Sequence, residues 1–161
     1  MSEGASAGRP KVLYLEVADR IWPALTRVAG LHTRAYRATG GRVGQRIPGV
    51  PGKMCLLDHV GAKSGVKRTA PLLYVADGDD IVLIASKGGF PKHPAWFHNL
   101  KANPETTVQV GGERIPVRAR VATAEERERL WPMAEEAWPG YRTYQKRSQG
   151  REIPIVVLEP R

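Results

Sequence analysis

The sequence predicts a mainly β protein with peripheral helices (α+β), built as an antiparallel barrel of about six strands. Three observations predict it. Apolar and β-branched runs recur at residues 54–60, 69–75, 80–85, 106–110, 113–122 and 153–158, mostly joined by short glycine-bearing turns. Helical periodicity is confined to the N-terminal region and to stretches beginning near Pro94, Thr123 and Tyr141. Strands and helices do not alternate, which argues against a parallel β-α-β sheet.

The N-terminal segment 1–10 is small, polar and expected to be disordered; residues 11–161 are expected to form one barrel domain with an N-terminal helix. Val12 to Ala29 carries Leu15, Ala18, Ile21, Trp22, Leu25 and Val28 at helical spacing, with Pro23 expected to kink or restart it. The helix either packs on the domain or lies at a membrane interface with Trp22 toward lipid. Leu31 to Thr39 reads as a second short helix ended by Gly40-Gly41, and residues 42–53 as a Gly/Pro-rich loop.

Met54 to Val60 is the first strand, and Gly61 to Gly65 a tight turn. Thr69 to Val75 follows, then a hairpin through Asp77-Gly78-Asp79 into Asp80 to Ala85. Thr106–Val110 and Glu113–Ala122 form a hairpin about Gly111-Gly112. In its second arm Ile115, Val117, Ala119 and Val121 alternate with Arg114, Pro116, Arg118 and Arg120: one buried face and one wet basic face, with Pro116 marking an edge or bulge. Thr123-Ala124-Glu125-Glu126 is a capping box that opens a helix, which Pro132 should kink and Trp138-Pro139-Gly140 should end. A short turn at Tyr141–Arg147 and an apolar closing strand complete the chain.

Composition bounds the function. The formal charge of +9 on 161 residues favours an anionic partner: nucleic acid, an acidic lipid surface or an anionic cofactor. The single cysteine, Cys55, excludes an internal disulfide and reads as a buried thiol of a reducing compartment. No apolar run approaches the roughly 20 residues of a membrane span, and residues 1–10 lack the apolar core of a signal peptide. The expected location is the cytoplasm, with weak contact at the inner membrane face through the first helix. The residues do not choose an oligomeric state.

The stretch Ile84 to Leu100 carries the densest chemistry. A strand feeds Ser86-Lys87-Gly88-Gly89, and Pro94 opens a short helix that Asn103-Pro104 stops. Glycines there let a flat ligand approach the backbone; equally, they punctuate an ordinary strand-loop-helix connection. Lys63, Ser64, Lys67 and Arg68 surround the Gly61–Gly65 turn, either as an anion-binding nest of successive amides or as a solvated hairpin tip. The phosphate-binding P-loop spacing is absent. Trp138, Tyr141 and Tyr144 recur every three residues and either wall a pocket for a flat substrate or fill core. His93 and His98, five apart, are expected on different helix faces, and no metal site is read. With no serine-nucleophile motif and no acid-base pair, the residues fit a protein whose cofactor carries the reaction.

Several separated motifs in order resemble the deazaflavin-dependent nitroreductase family: Gly61–Gly65 with Arg68 and Pro71-Leu72, Ala85–Gly89, Pro94–Pro104, and Ile153–Val157. The resemblance runs from about Pro48 to the C-terminus. It implies a split antiparallel β-barrel of the FMN-binding-like kind and coenzyme F-420, an 8-hydroxy-5-deazaflavin with an anionic tail. On the matching positions it places Ala62, Lys63, Ser64, Arg68 and Thr69 at the phosphate and tail. Pro71 and Leu72 fall beside the ring, and Ala85, Ser86, Lys87, Gly88 and Gly89 at the deazaflavin. Ala95, Trp96 and Asn99 belong to the covering helix. Tyr141 and Tyr144, with Ser86, are the implied catalytic groups. Trp138 departs from the tyrosine of the family's nitroreductase, which favours a quinone-like acceptor over a bulky nitro-aromatic one.

The reading is a reductase that passes hydride from reduced F-420 to a quinone-like or nitro-aromatic small molecule, with no nucleic-acid partner. Its alternatives are a split-barrel oxidoreductase using FMN, and a non-catalytic protein that binds F-420 or nucleic acid.

Overall fold

The computed structural model describes residues 13–161, and the side chains of Arg20 and of residues 23–161. The expected disordered segment 1–10 and the side chain of Trp22 lie outside those residues.

Six strands close into an antiparallel barrel: β1 (Lys53–Val60), β2 (Lys67–Asp77), β3 (Asp80–Ile84), β4 (Glu105–Val110), β5 (Glu113–Val121) and β6 (Ile155–Pro160). Their order around the barrel is β1-β2-β3-β6-β5-β4, with β4 returning to β1 through Leu56↔Gln109 and Leu57↔Val108. Closure leaves no long free edge. Pro116, read as an edge or bulge marker, pairs with Thr107 of β4 and sits just past Val117↔Pro160, where the β5–β6 pairing ends. There its missing N–H costs no pairing between β5 and β6.

The barrel interior is filled by Cys55, Leu57, Leu83, Val108, Val117 and Leu158. One end is plugged by Trp96, Phe97 and Leu100 of α2 (Ala95–Ala102). Burial pushes the Cys55 thiol up to about 12, so the buried-thiol reading holds. The outer faces of β3 and β6 are apolar too. Val82, Ile84, Ile155 and Val157 pack against Leu130 and Ala134 of α3 (Ala124–Ala137) and Tyr141 of α4 (Gly140–Arg147). Strands buried on both faces read as continuous apolar runs, as Ile81–Ile84 and Ile155–Leu158 do.

α1 is one helix, Leu13–Thr39, where the sequence suggested two segments broken near Gly30. A Cβ added at Gly30 would meet nothing outside the helix within 4 Å, and a single exposed helical glycine costs only about 1 kcal/mol against alanine. Pro23 lies within the helix, as Pro132 lies within α3, and both helices run through their prolines. The predicted capping box opens α3: the Thr123 hydroxyl accepts from Glu126 N, and the Glu126 carboxylate accepts from Thr123 N. The alternation in β5 holds except at Val121, which is 49% exposed where the strand runs out.

Among the described residues of α1, the last turns are the ones buried against the barrel. Tyr36, fully buried, donates its hydroxyl to Met54 O (3.0 Å) and accepts from Gly111 N (2.8 Å), joining the helix to β1 and to the β4–β5 turn. Gly41 (φ +82°) ends the connection against Gly111, where an added Cβ would stand 2.7 Å from the Gly111 Cα. Earlier, Leu25, Val28 and Leu31 are 47%, 61% and 65% exposed. Tyr36→Phe removes both hydroxyl bonds and leaves a buried carbonyl and N–H unpaired. Urea unfolding should show a loss of about 1–3 kcal/mol; an unchanged midpoint would rule out the anchor.

Candidate functional site

A cavity of about 710 Å³ opens on the outer wall of the barrel, beside β2. That volume lies within the roughly 300–1,000 Å³ usual for small-molecule sites. Its floor is Thr69–Leu73. One side is Ser86, Lys87, Gly88, Ala95 and Trp96; the other is Trp138, Tyr141 and Tyr144; Leu25, Thr26 and Ala29 of α1 form a further wall. Residues 84–100 thus form a site wall as well as a connection, and the three aromatics wall a pocket. Trp138 caps α3, outside α4, and still joins Tyr141 and Tyr144 at the cavity.

The loop at its edge has unusual backbone geometry. Lys87 (φ +46°), Gly88 (φ +63°) and Gly89 (φ +81°) are three successive left-handed residues. Gly89 is buried against α4, where a Cβ would stand 2.7 Å from Tyr144 O. Lys87 pays a local conformational penalty there, of the kind that persists where surrounding structure fixes the backbone. Its ammonium lies 5.6 Å from the Phe90 ring.

Of the other expected cofactor residues, Thr69, Pro71, Leu72, Ala95 and Trp96 line the cavity. Ala62, Lys63, Ser64 and Arg68 stand on the exposed turn beyond its rim. Ala85 is fully buried in the barrel core, and Asn99 is buried behind the cavity wall. Among the described residues, Lys63, Lys67 and Arg68 have no ion-pair partner, whereas Arg37 and Arg114 share Asp58, and Arg120 bridges Glu126 and Glu159.

The nest reading of that turn is corrected. Gly61 N donates to Val66 O, Gly65 N to Gly61 O, Val66 N to Ser64 Oγ, and Ala62 N to Asn99 Oδ1 (2.9 Å). Four amides are therefore already satisfied, which leaves the side chains as the turn's available donors to an anion. Asn99 has become a brace: its amide nitrogen lies 2.9 Å from His59 Nδ1, so one side chain ties α2 to the turn and to β1.

His59 was not singled out in the sequence, yet it lines the cavity and is directly opposite Arg68 across β1–β2. Burial, then Arg68, hold it below the usual histidine range. The signal was available: an imidazole in a largely apolar strand, in the place paired with a predicted anion ligand. His93 corrects another reading. It precedes α2, so its ring stands 5.7 Å from His98 rather than on another helix face. The described residues contain no group of three or more metal-ligating side chains.

Tyr141 is 5% exposed, and burial, then Tyr144, push its phenol well above the usual range. It therefore stays protonated at neutral pH. Tyr144 meets it edge to face, with centroids 6.1 Å apart.

The cavity, the glycine-shaped loop and the unpaired cations fit a flat cofactor with an anionic tail; barrel and site define the class, a split-barrel oxidoreductase of the deazaflavin or flavin type. Comparison with known proteins narrows it. The F-420H(2)-dependent quinone reductase profile matches residues 28–160. An F-420H(2)-dependent quinone reductase of Mycobacterium tuberculosis is 45% identical over 134 residues, covering 81% of this chain and 89% of that protein. The solved structure of an F-420-H2 dependent reductase is 45% identical, with TM-score 0.61 over 66% of this chain and 93% of that one. A chain solved as a domain-swapped dimer is 38% identical, with TM-score 0.64 over 84% and 99%. The chain belongs to the F-420H(2)-dependent quinone reductase family and is an F-420-dependent reductase.

The brace gives a prediction with a defined sign. Asn99→Asp keeps an acceptor for Ala62 N and sets a carboxylate against His59 Nδ1. A neighbouring anion favours imidazolium. The His59 pKa, held below about 6.5 in the parent, should rise above it in an NMR titration. An unmoved titration would show that the two side chains do not meet.

Proposed function

We propose that the deazaflavin ring lies along Pro71-Leu72 with its edge at Ser86–Gly88, under Trp96, and that its tail runs past the cavity rim to Lys63, Ser64, Lys67 and Arg68. The observation that carries this is one cavity joining three distant stretches beside unpaired cations. When bound, the reduced cofactor supplies the hydride. The chain's part is to hold the ring and a flat quinone acceptor in register and to exclude water. The Tyr141 phenol, kept protonated by burial, donates toward the acceptor oxygen as negative charge develops there, with Tyr144 orienting it. Trp138 narrows the acceptor end, which favours a quinone over a bulky nitro-aromatic compound.

The exposed Leu25, Val28 and Leu31 support a second reading, peripheral contact with a membrane that holds a lipophilic acceptor. No helix among the described residues is long and apolar enough to cross one.

Titration by tryptophan quenching tests the cofactor assignment. F-420 should bind more tightly than FMN, and its affinity should fall with salt; equal or tighter FMN binding overturns the assignment. Arg68→Ala should weaken F-420 binding by about 1–3 kcal/mol while single-turnover oxidation at saturating cofactor stays near the parent rate. Tyr141→Phe should do the reverse, lowering turnover with a menaquinone analogue by about 10²-fold or more with binding little changed. Reversal of that pattern would refute the division of roles. The membrane reading fails if the full chain and a form lacking residues 1–30 both stay in the supernatant with anionic liposomes.

A further inference from the structure

The left-handed turn at Lys87–Gly89 is closed by a side chain more than sixty residues away in sequence. Arg151, half-buried in the loop before β6, donates Nε to Phe90 O (3.0 Å) and Nη2 to both Phe90 O (2.8 Å) and Ser86 O (2.8 Å). Its Nη1 donates to Ala85 O (3.1 Å) and meets His93 Nδ1 at 2.9 Å. A guanidinium has five N–H donors, so these contacts occupy all of them. The acceptors lie on both sides of the left-handed turn, and one rigid planar group thereby fixes the separation of its ends.

We propose that Arg151 is the positioning residue of the cofactor loop, holding residues 87–89 in their left-handed conformation, and that His93 makes this clasp releasable by acid. The inference rests on the reading that residues 86–88 hold the cofactor ring. Arginine has no acceptor, so His93 receives the bond at Nδ1 and carries its proton on Nε2. Protonation of Nδ1 sets two donors and two cations against each other, and the contact is lost.

The groups around His93 set where this happens. Burial first, then Arg151, His98 and Lys101, oppose its protonation, and His93 is held below the usual histidine range. Arg127, Glu128 and Glu152 line the same second cavity of about 540 Å³, the arginine opposing and the carboxylates favouring the charged form. The clasp is thus intact at neutral pH and opens as pH falls below about 6.5, the ordinary histidine value.

Hydrogen exchange of the 86–90 amides in the cofactor-free protein reads the clasp directly, and F-420 titration reads its use. Arg151→Lys keeps the charge but is a point donor that cannot span four acceptor groups. It should lower the protection factor of residues 86–90, and the F-420 affinity, by about tenfold or more. In the parent, protection should fall between pH 7 and 4.5. In His93→Gln, whose side-chain carbonyl accepts at every pH, that fall should disappear. Parent-like protection in Arg151→Lys, or the same acid fall in His93→Gln, overturns the clasp. A loosened loop that binds F-420 with full affinity overturns the placement of the cofactor on it, and so the positioning role. If Arg151→Lys does not fold, the pH profiles of the parent and His93→Gln decide alone.

Discussion

The constraint on which this structure depends is that β3 and β6 are apolar on both faces. A barrel buries only its interior, so Val82, Ile84, Ile155 and Val157 remain to be covered from outside. α3 and α4 provide the cover, and their placement follows from that demand. β2, next to β3, has no such second face: its residues are partly exposed from Thr69 to Val75. The helices cover β3 and the far end of β2, where Val75 joins the same cluster and Arg129 of α3 pairs with Asp77, and they leave a trough along Thr69–Leu73, walled on one side by Tyr141 and Tyr144. The site is the part of the outer wall that the core does not need.

Charge is distributed by the same logic. Most arginines described on the strands and on α3 and α4 meet a carboxylate: Arg118 and Arg161 with Glu105, Arg129 with Asp77, Arg142 with Glu135. These exposed pairs contribute little stability, but they neutralise the surface locally. Lys63, Lys67 and Arg68, at the β1–β2 turn, stand apart from these pairs. A chain of net charge +9 thus carries a local cluster of cations at this turn while its basic residues look dispersed in the sequence.

Strand number, hairpin turns and the capping box were legible because each is a local matter of alternation or of side-chain bonding to the backbone within a few residues. The cavity aromatics were legible from spacing, and the exposed cations at the β1–β2 turn from clustering. What was not legible depended on contacts distant in sequence. The turn amides at 61–66 suggested a nest, and only the arrival of Asn99, 37 residues on, shows Ala62 already bonded. His59 gained meaning through its cross-strand partner, and His93 through a helix that starts two residues after it. α1 read as two pieces because glycine and proline weaken helices locally, while the Tyr36 anchor that holds its end is a tertiary bond.

The same dependence orders the assembly of the site. The loop at 86–90 contains three left-handed residues, and its backbone bonds include Gly89 N to Ser86 O and Phe90 N to Lys87 O. Its shape requires Arg151, and Arg151 is delivered only when β6 pairs with β3. Contacts of such long sequence separation form after local ones, because loop closure must be overcome first. The cofactor loop is thus completed by closure of the barrel. The left-handed backbone at Lys87 can persist because the barrel, more stable than the loop, supports it from outside. The α4 wall of the cavity and the 86–90 loop meet at Gly89, where a Cβ would collide with Tyr144, so the loop and the wall that carries Tyr141 are packed as one unit.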